Sequence, residues 1–301
     1  MANYEDKIVC SLVEDERVVV YVASSTSLVE EARVLHHTSP VATAALGRAL
    51  TLTGIMGAAL KEGQRVTLHI NCRGPLGAIL VQANSRGEVR GYVSQPLVFV
   101  PPREDKKLNV EEAVGKGSQL SVVKDLGLGE PYAGYIEMPR GSIAYDLAYY
   151  FALSEQLPSA CSAGVYVGET GEVLSAGGFI IHTPAGTPPQ IIEKIEDNIS
   201  LLPPLSSLLW EGKTPEEITG ALLSPLPYRI VGEKKLCYHC YCSRERARRT
   251  LMLLGREELE ELLAEEGRAE VSCPFCNRVY LFGDRELREL IEQGSNRRFD
   301  S

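Results

Sequence analysis

The sequence lacks an excess of basic residues. Its 31 lysines and arginines are outnumbered by 40 aspartates and glutamates, which gives a formal net charge of -9. Phosphate backbones repel a chain of this charge unless a local basic patch dominates, so the composition argues against nucleic-acid binding. Low-complexity tracts and internal repeats are also absent. A hydrophobic content of 44% and a charged content of 24% are typical of a folded protein.

A secretion signal is missing as well. No basic segment followed by an apolar run opens the chain, which predicts that the protein is not secreted. Cys10, Cys72 and Cys161 are scattered through apolar, strand-like stretches. Such isolated cysteines are typical of buried thiols in a reducing compartment, and we therefore expect a cytoplasmic protein.

No catalytic motif is recognisable. The chain has no P-loop and no glycine-rich dinucleotide motif between a strand and a helix. Four histidines form no catalytic pattern with any serine or cysteine: His36, His37, His69 and His182. The sequence therefore predicts a protein that is not an enzyme.

One stretch, Val41 to Leu60, is long and apolar enough to suggest a membrane span. Arg48 lies near its centre, and a central arginine costs about 2.5–3.5 kcal/mol on insertion into a bilayer. Many of its apolar residues are alanine or glycine rather than leucine or isoleucine. We interpret the stretch as a buried core helix that begins at Ser39-Pro40, and we expect no membrane association.

The first 183 residues mix strand and helix patterns. Arg65 to Cys72 alternates apolar and polar residues, and two further strand-like segments, Ala78–Ala83 and Glu88–Val93, follow it. The turn-forming residues 84–87 join these two segments. This order predicts an antiparallel meander within a mixed α/β core.

The character of the chain changes after Thr183. Residues 184–235 contain several prolines and predict short, broken helices with little strand. A compact cysteine-rich segment follows. The predicted fold is α+β, with an N-terminal mixed α/β core domain that contains an antiparallel sheet (1–183), a helical linker (184–235) and a small C-terminal zinc-binding domain (236–301).

Five of the eight cysteines lie between positions 237 and 276. They form the patterns Cys237-Tyr-His-Cys240-Tyr-Cys242 and Cys273-Pro-Phe-Cys276. Two close pairs separated by 30 residues supply four thiolates, which suit tetrahedral Zn²⁺. Cys240 can be paired with Cys237 or with Cys242, so two ligand sets are possible from spacing alone. The missing leader argues against a stable disulfide framework.

Several functions are compatible with such a site. Four thiolate ligands close the coordination sphere, which is typical of a structural zinc ribbon. A nucleic-acid-binding zinc-ribbon regulator would use the arginines that follow the first cysteine pair, but a run of glutamates comes soon after them. A thiol oxidoreductase would need an exposed Cys-x-x-Cys with a low pKa and no tightly bound metal.

Longer runs around the cysteines resemble the zinc domain of the heat shock protein 33 family. Proteins of this family are redox-regulated holdase chaperones. Four runs carry the resemblance: 240–247, 253–259, 270–276 and 280–282. Three N-terminal runs resemble other stretches of the same family: Gly74-Pro-Leu-Gly77, Gly91-Tyr-Val-Ser94 and Gly177-Gly-Phe-Ile-Ile181. The resemblance covers nearly the whole chain.

The resemblance implies a ligand set and a switch. The zinc ligands of the family fall on Cys240, Cys242, Cys273 and Cys276. In the reduced, zinc-bound form the chaperone is inactive, and oxidation forms the disulfides Cys240–Cys242 and Cys273–Cys276 and releases the zinc. This sequence departs from the family at Cys237 and His239, and Cys237 is a possible alternative ligand.

The resemblance also implies partners. They are unfolding client proteins bound without ATP under oxidative stress, a second copy of the chain in a homodimer, and ATP-dependent foldase chaperones that receive the clients. It implies no specific nucleic acid. Because one metal ion would tie together a small domain, we expect oxidation to unfold residues from about 237 to 292 and to loosen the linker.

Overall fold

A computed structural model describes residues 5–13, 18–127 and 129–296, so the outermost residues of the first and last predicted domains lie outside the described part. The chain divides into two compact units, Met1–His239 and Cys240–Ser301, here called the first and the second unit. The boundaries predicted for three domains stay a prediction.

The first unit contains two sheets and seven of the described helices. Its strands are β1 (Lys7–Val13), β2 (Val18–Ser24), β3 (Arg65–Asn71), β4 (Ala78–Asn84), β5 (Glu88–Val93), β6 (Gln119–Asp125), β7 (Tyr132–Glu137), β8 (Ser159–Val167), β9 (Val173–His182), β10 (Tyr228–Lys235) and β11 (Cys237–Tyr238). Its helices are α1 (Thr26–His36), α2 (Pro40–Ala58), α3 (Val110–Val114), α4 (Ile143–Ser154), α5 (Pro189–Leu201), α6 (Leu205–Trp210) and α7 (Pro215–Leu223).

The five-stranded sheet has the order β10-β1-β2-β9-β8, and its neighbouring strands are antiparallel. The six-stranded sheet has the order β11-β5-β4-β3-β6-β7 and is antiparallel except for the parallel pair β11 and β5. In β3 the residues Val66, Leu68 and Ile70 are buried, as their alternation predicts. The antiparallel meander β3-β4-β5 is therefore confirmed.

Helix α2 forms the centre of the first unit and contacts strands of both sheets. All of its residues except Pro40 and Arg48 are buried. By length and composition this helix would suffice for a membrane span, but nearly all of it lies inside the protein core. Ser39 stands at its N-cap, although the Ser39 hydroxyl donates to the Val98 carbonyl at 2.7 Å instead of capping the helix.

Helices α5, α6 and α7 cover the outer face of the five-stranded sheet. Ile195, Leu205 and Ile218 pack there with residues of β2 and β9. The proline-rich segment also contains strand β10, which sequence analysis did not predict. Most residues of β10 are exposed, so it shows no alternation of apolar and polar residues that would reveal a strand.

The second unit is small. Its elements are α8 (Arg244–Met252), α9 (Arg256–Glu265), β12 (Arg268–Ser272), β13 (Val279–Gly283) and α10 (Asp284–Asn296). Its buried apolar side chains form one cluster: Ala247, Leu251, Leu259, Ala269, Phe282, Leu287 and Leu290. The α+β fold class is confirmed for the chain.

Candidate metal centre

The first cysteine pair lies in the extended segment just before helix α8. The helix begins directly after Cys242, because the Ser243 hydroxyl oxygen accepts a hydrogen bond from the backbone N–H of Arg246 at 3.2 Å. This cap stops the helix from running back into the cysteine segment. Cys240 and Cys242 therefore stand on non-helical backbone at a fixed helix start.

The second pair forms the turn between β12 and β13. The backbone N–H of Cys273 donates to the Arg278 carbonyl at 2.9 Å, and the N–H of Asn277 donates to the Cys273 carbonyl at 2.8 Å. Asn277 has a φ of 55°, in the left-handed region that asparagine tolerates better than most residues. The tight turn closes the strand pair and directs Cys273 and Cys276 toward the same point.

The sulfur atoms of Cys240, Cys242, Cys273 and Cys276 all lie within 4.8 Å of one another. Sγ of Cys240 lies 3.6 Å from Sγ of Cys273, and Sγ of Cys242 lies 3.3 Å from Sγ of Cys276. Zinc–sulfur bonds of about 2.3 Å in a tetrahedron place sulfurs about 3.8 Å apart. The four residues therefore fit a tetrahedral metal ion with soft ligands.

The thiols of the cluster differ in acidity. Burial raises the pKa of Cys242, but hydrogen bonds from Tyr280 and from the neighbouring thiols outweigh burial and lower this pKa to about 7. Burial raises the pKa of Cys273 and of Cys276. Cys240 raises the pKa of Cys273 further while Cys276 lowers it, and all three neighbouring sulfurs raise the pKa of Cys276. Four thiols cannot all ionise at this spacing without a nearby cation, because the negative charges repel one another. A bound metal ion would provide that cation.

Tyr280 is a contact of the cluster that sequence analysis missed. Its hydroxyl donates a hydrogen bond to Sγ of Cys242 at 3.1 Å. Tyr280 lies on β13 opposite Val271 of β12, four residues beyond the last cysteine of the cluster. A tyrosine on the strand that leaves a Cys-x-x-Cys turn is the signal that would have found it.

Cys237 is not a member of this group of four. It lies on β11 in the first unit, where its backbone N–H donates to the Gly87 carbonyl at 3.0 Å. Its side chain borders a cavity of about 470 Å³ that is also lined by Asp6, Glu31 and Lys235. His239 ends the first unit and donates its N–H to the Val89 carbonyl at 2.8 Å. The assignment of individual ligands stays a prediction.

Three further cysteines and His182 have structural surroundings. Burial raises the pKa of the half-buried Cys10 and Cys161 thiols, and that of Cys72 to about 12, which makes them poor nucleophiles. Nδ1 of His182 lies 2.7 Å from Oγ of Ser159, its partner across β8 and β9. This serine also donates to the Leu157 carbonyl, so the contact is a cross-strand pair within the sheet.

Comparisons with known proteins agree on one family. The family described as "Hsp33 protein" matches residues 6–283. The "33 kDa chaperonin" of Bacillus pumilus is 42% identical over 288 residues, which cover 96% of this chain and 99% of that protein. The "33 kDa chaperonin" of Bacillus subtilis is 43% identical over 288 residues, with the same shares of 96% and 99%.

A solved structure shows the same fold. The crystal structure of the 33 kDa chaperonin (heat shock protein 33 homolog) of Thermotoga maritima has a TM-score of 0.91 and 37% sequence identity. The match covers 97% of this chain and 100% of that one, so it extends over both units. The chain therefore belongs to the heat shock protein 33 family, as its sequence motifs predicted.

Proposed function

We propose that the protein is a redox-regulated, ATP-independent holdase chaperone that binds unfolding proteins under oxidative stress. The observation that carries this proposal is the gathering of four thiols from two distant chain segments at one point, in a chain of the heat shock protein 33 family. The reduced protein with zinc bound is the inactive form, and oxidation of the cluster activates it.

The cluster stabilises the second unit because that unit has little core of its own. Among its described residues one apolar cluster has seven buried side chains, and cores of this size leave a domain marginally stable. When zinc is bound by Cys240, Cys242, Cys273 and Cys276, it supplies a crosslink whose binding free energy of about 10–16 kcal/mol is largely folding free energy. The thiols hold the segment before α8 against the β12–β13 turn.

Oxidation removes this crosslink. A cysteine thiolate attacks hydrogen peroxide, so that a lone pair of the sulfur forms an S–O bond, the O–O bond breaks and hydroxide leaves with the electron pair of that bond. A second thiolate then displaces hydroxide from the sulfenic acid and forms a disulfide. The pairs Cys240–Cys242 and Cys273–Cys276 close short loops only, so the two segments are no longer joined and the second unit loses stability.

The pairing of the disulfides tests this step, because the sulfurs of the crossed pairs Cys240 and Cys273, and Cys242 and Cys276, are also close. Crossed disulfides would keep the two segments joined. Peptide mapping by mass spectrometry after peroxide treatment is expected to show the local pairs. Crossed pairs in the chaperone-active form would contradict unfolding by loss of the crosslink.

A client-aggregation assay tests the function itself. Light scattering of a heat-denatured client is followed with reduced, zinc-loaded protein and with oxidised, zinc-free protein. We expect only the oxidised form to suppress aggregation at stoichiometric amounts, without ATP. Equal suppression by both forms would contradict redox control, and no suppression by either would contradict the chaperone function.

The rival function as a nucleic-acid-binding zinc-ribbon regulator finds little support. Two arginines of α8 form ion pairs, Arg244 with Glu286 and Arg249 with Glu245, and Arg248 donates to the neutral side chain of Gln293. The two glutamates reduce the positive charge that phosphates would bind. Binding to a DNA or RNA fragment that falls steeply with salt would favour the rival function.

The remaining features of the proposal follow from the family. We infer that the protein acts in the cytoplasm as a homodimer, that it catalyses no reaction, and that it passes clients to ATP-dependent foldases. Specific nucleic acids and membranes are not part of the proposed function. A sedimentation experiment on the reduced and the oxidised protein measures the predicted dimer directly.

A further inference from the structure

A hydrogen bond connects the two halves of the cysteine cluster from outside the set of four sulfurs. The Tyr280 hydroxyl, on the strand that follows the second pair, donates to Sγ of Cys242 in the first pair at 3.1 Å. A thiolate can only accept a hydrogen bond, so the direction is fixed once Cys242 is ionised. Charge-assisted hydrogen bonds of this kind are about twice as strong as neutral ones.

A second side chain supports the tyrosine. Arg278, two residues earlier, places its guanidinium charge near the Tyr280 hydroxyl and near the sulfurs of Cys242 and Cys276. A positive charge at this place attracts the thiolate that accepts the hydrogen bond from Tyr280.

The ring of Tyr280 and its hydroxyl have separate roles. Tyr280 and the buried Phe282 are two residues apart on β13 and lie on the same face of the strand, where the Tyr280 ring packs against the core of the second unit. Phenylalanine at this position would keep that packing. The hydroxyl is therefore available for a test that leaves the core unchanged.

We propose that Tyr280, supported by Arg278, is a positioning residue that holds the Cys242 thiolate in the metal centre and slows its oxidation. Oxidation begins with a lone pair of the sulfur, which forms the S–O bond as the O–O bond of hydrogen peroxide breaks and hydroxide leaves. A donor on the sulfur withdraws that electron density and must be lost or displaced on attack. The proposal rests on the proposed function, because it assigns a role within the same metal centre.

The test compares Tyr280→Phe with the native protein, with Tyr135→Phe as the matched control because Tyr135 is 73% exposed in the first unit. Zinc affinity is measured by competition with a chromogenic chelator, and the charge-transfer bands of the cobalt(II)-substituted protein report the thiolate ligands. Loss of an outer-shell hydrogen bond typically weakens metal affinity about 10–100-fold, and we expect a loss of about 10-fold here. The control variant is expected to match the native protein.

Oxidation is followed in the same variants by quenching with an alkylating reagent and mass spectrometry of each cysteine. In Tyr280→Phe, Cys242 is expected to react with peroxide several-fold faster than in the native protein, and Arg278→Gln is expected to give a smaller change in the same direction. If Tyr280→Phe fails to fold, Arg278→Gln carries the test alone. Native affinity and a native order of cysteine oxidation in the folded variants would overturn the proposal.

The outcomes separate this proposal from the proposed function. A native protein that binds no zinc, or keeps its zinc in peroxide, would contradict the proposed function and with it the role of Tyr280. A native protein that loses zinc in peroxide, with variants that behave identically, would contradict the role of Tyr280 alone.

Discussion

At the scale of single residues, Asp6 shows how one carboxylate joins distant parts of the first unit. Its side chain accepts a hydrogen bond from the backbone N–H of Leu28 at 2.7 Å, and its carbonyl accepts one from Leu236 at 2.9 Å. Ser25, at the N-cap of α1, makes no side-chain capping bond, so Asp6 caps this helix from outside it. Asp6 is only 4% exposed, which makes its charge costly.

Burial raises the pKa of Asp6 to about 6 from 3.8, although hydrogen bonds from the start of α1 act in the opposite direction. Between these two values the folded protein holds a proton that the unfolded chain has released. The free energy of unfolding therefore decreases as pH rises through this window, by at most about 3 kcal/mol from this residue.

Replacing Asp6 with asparagine removes this titration. Urea unfolding of the native protein and of Asp6→Asn, measured at several pH values from about 4 to 7, isolates the contribution of the residue. The stability of the native protein relative to the variant is expected to fall with rising pH and to level off above about pH 6. A difference that does not change with pH would contradict the raised pKa.

Residues differ in how well sequence alone predicts them. The four clustered cysteines could be predicted because metal chemistry restricts their spacing within the chain. Asp6 and Tyr280 could not, because each acts through a contact with a residue more than 20 positions away. Only the fold brings Asp6 to the start of α1 and Tyr280 to Cys242.

At the scale of elements, strands were predictable where one face is buried. The alternation in β3 identified it at once, whereas β10 exposes most of its residues and β11 has only two. Helix α3 has five residues and is too short for a helical period to stand out. These elements are fixed by hydrogen bonds to distant strands or by packing, which leave little trace in the local sequence.

The junction of β10 and β11 depends on a glycine in the predicted 84–87 turn. Gly87 has a φ of 76°, and a Cβ atom built on it would lie 1.9 Å from the Lys235 carbonyl oxygen. Its own carbonyl accepts the N–H of Cys237 at 3.0 Å. The chain that leads to the cysteine cluster can therefore approach the β4–β5 turn this closely only because position 87 has no side chain.

Gly87→Ala is expected to destabilise the protein by more than about 2 kcal/mol, because left-handed backbone strain is added to the displacement of residues 235–237. Gly63→Ala is the matched control. Gly63 has a φ of 82°, but nothing lies within 4 Å of its added Cβ, so only the backbone strain of about 1 kcal/mol remains. Urea unfolding of both variants measures the difference, and equal losses would contradict the close approach.

At the scale of the whole molecule, the two units have unequal cores. The main cluster of the first unit includes residues of both sheets and of helices α1 to α4, whereas the second unit has one cluster of seven buried residues. The described Sγ atoms of the metal centre all belong to the second unit. Loss of a metal ion held by these sulfurs should therefore act mainly on the smaller unit.

Removal of the proposed zinc ion from the reduced protein by a chelator tests, without oxidation, whether its loss acts mainly on the second unit. Hydrogen exchange followed by mass spectrometry is expected to show loss of protection from residue 240 onward, while strands of the first unit such as β2, β3 and β4 stay protected. The fluorescence of Trp210 reports separately on helix α6, because its ring packs against Tyr166 with ring centroids 5.9 Å apart. We expect this signal to change with peroxide at raised temperature if the covering helices α5–α7 loosen, as the sequence predicted for the linker. Protection that persists in the second unit after chelation would show that its small core suffices, and the cysteine cluster would then not control its folding.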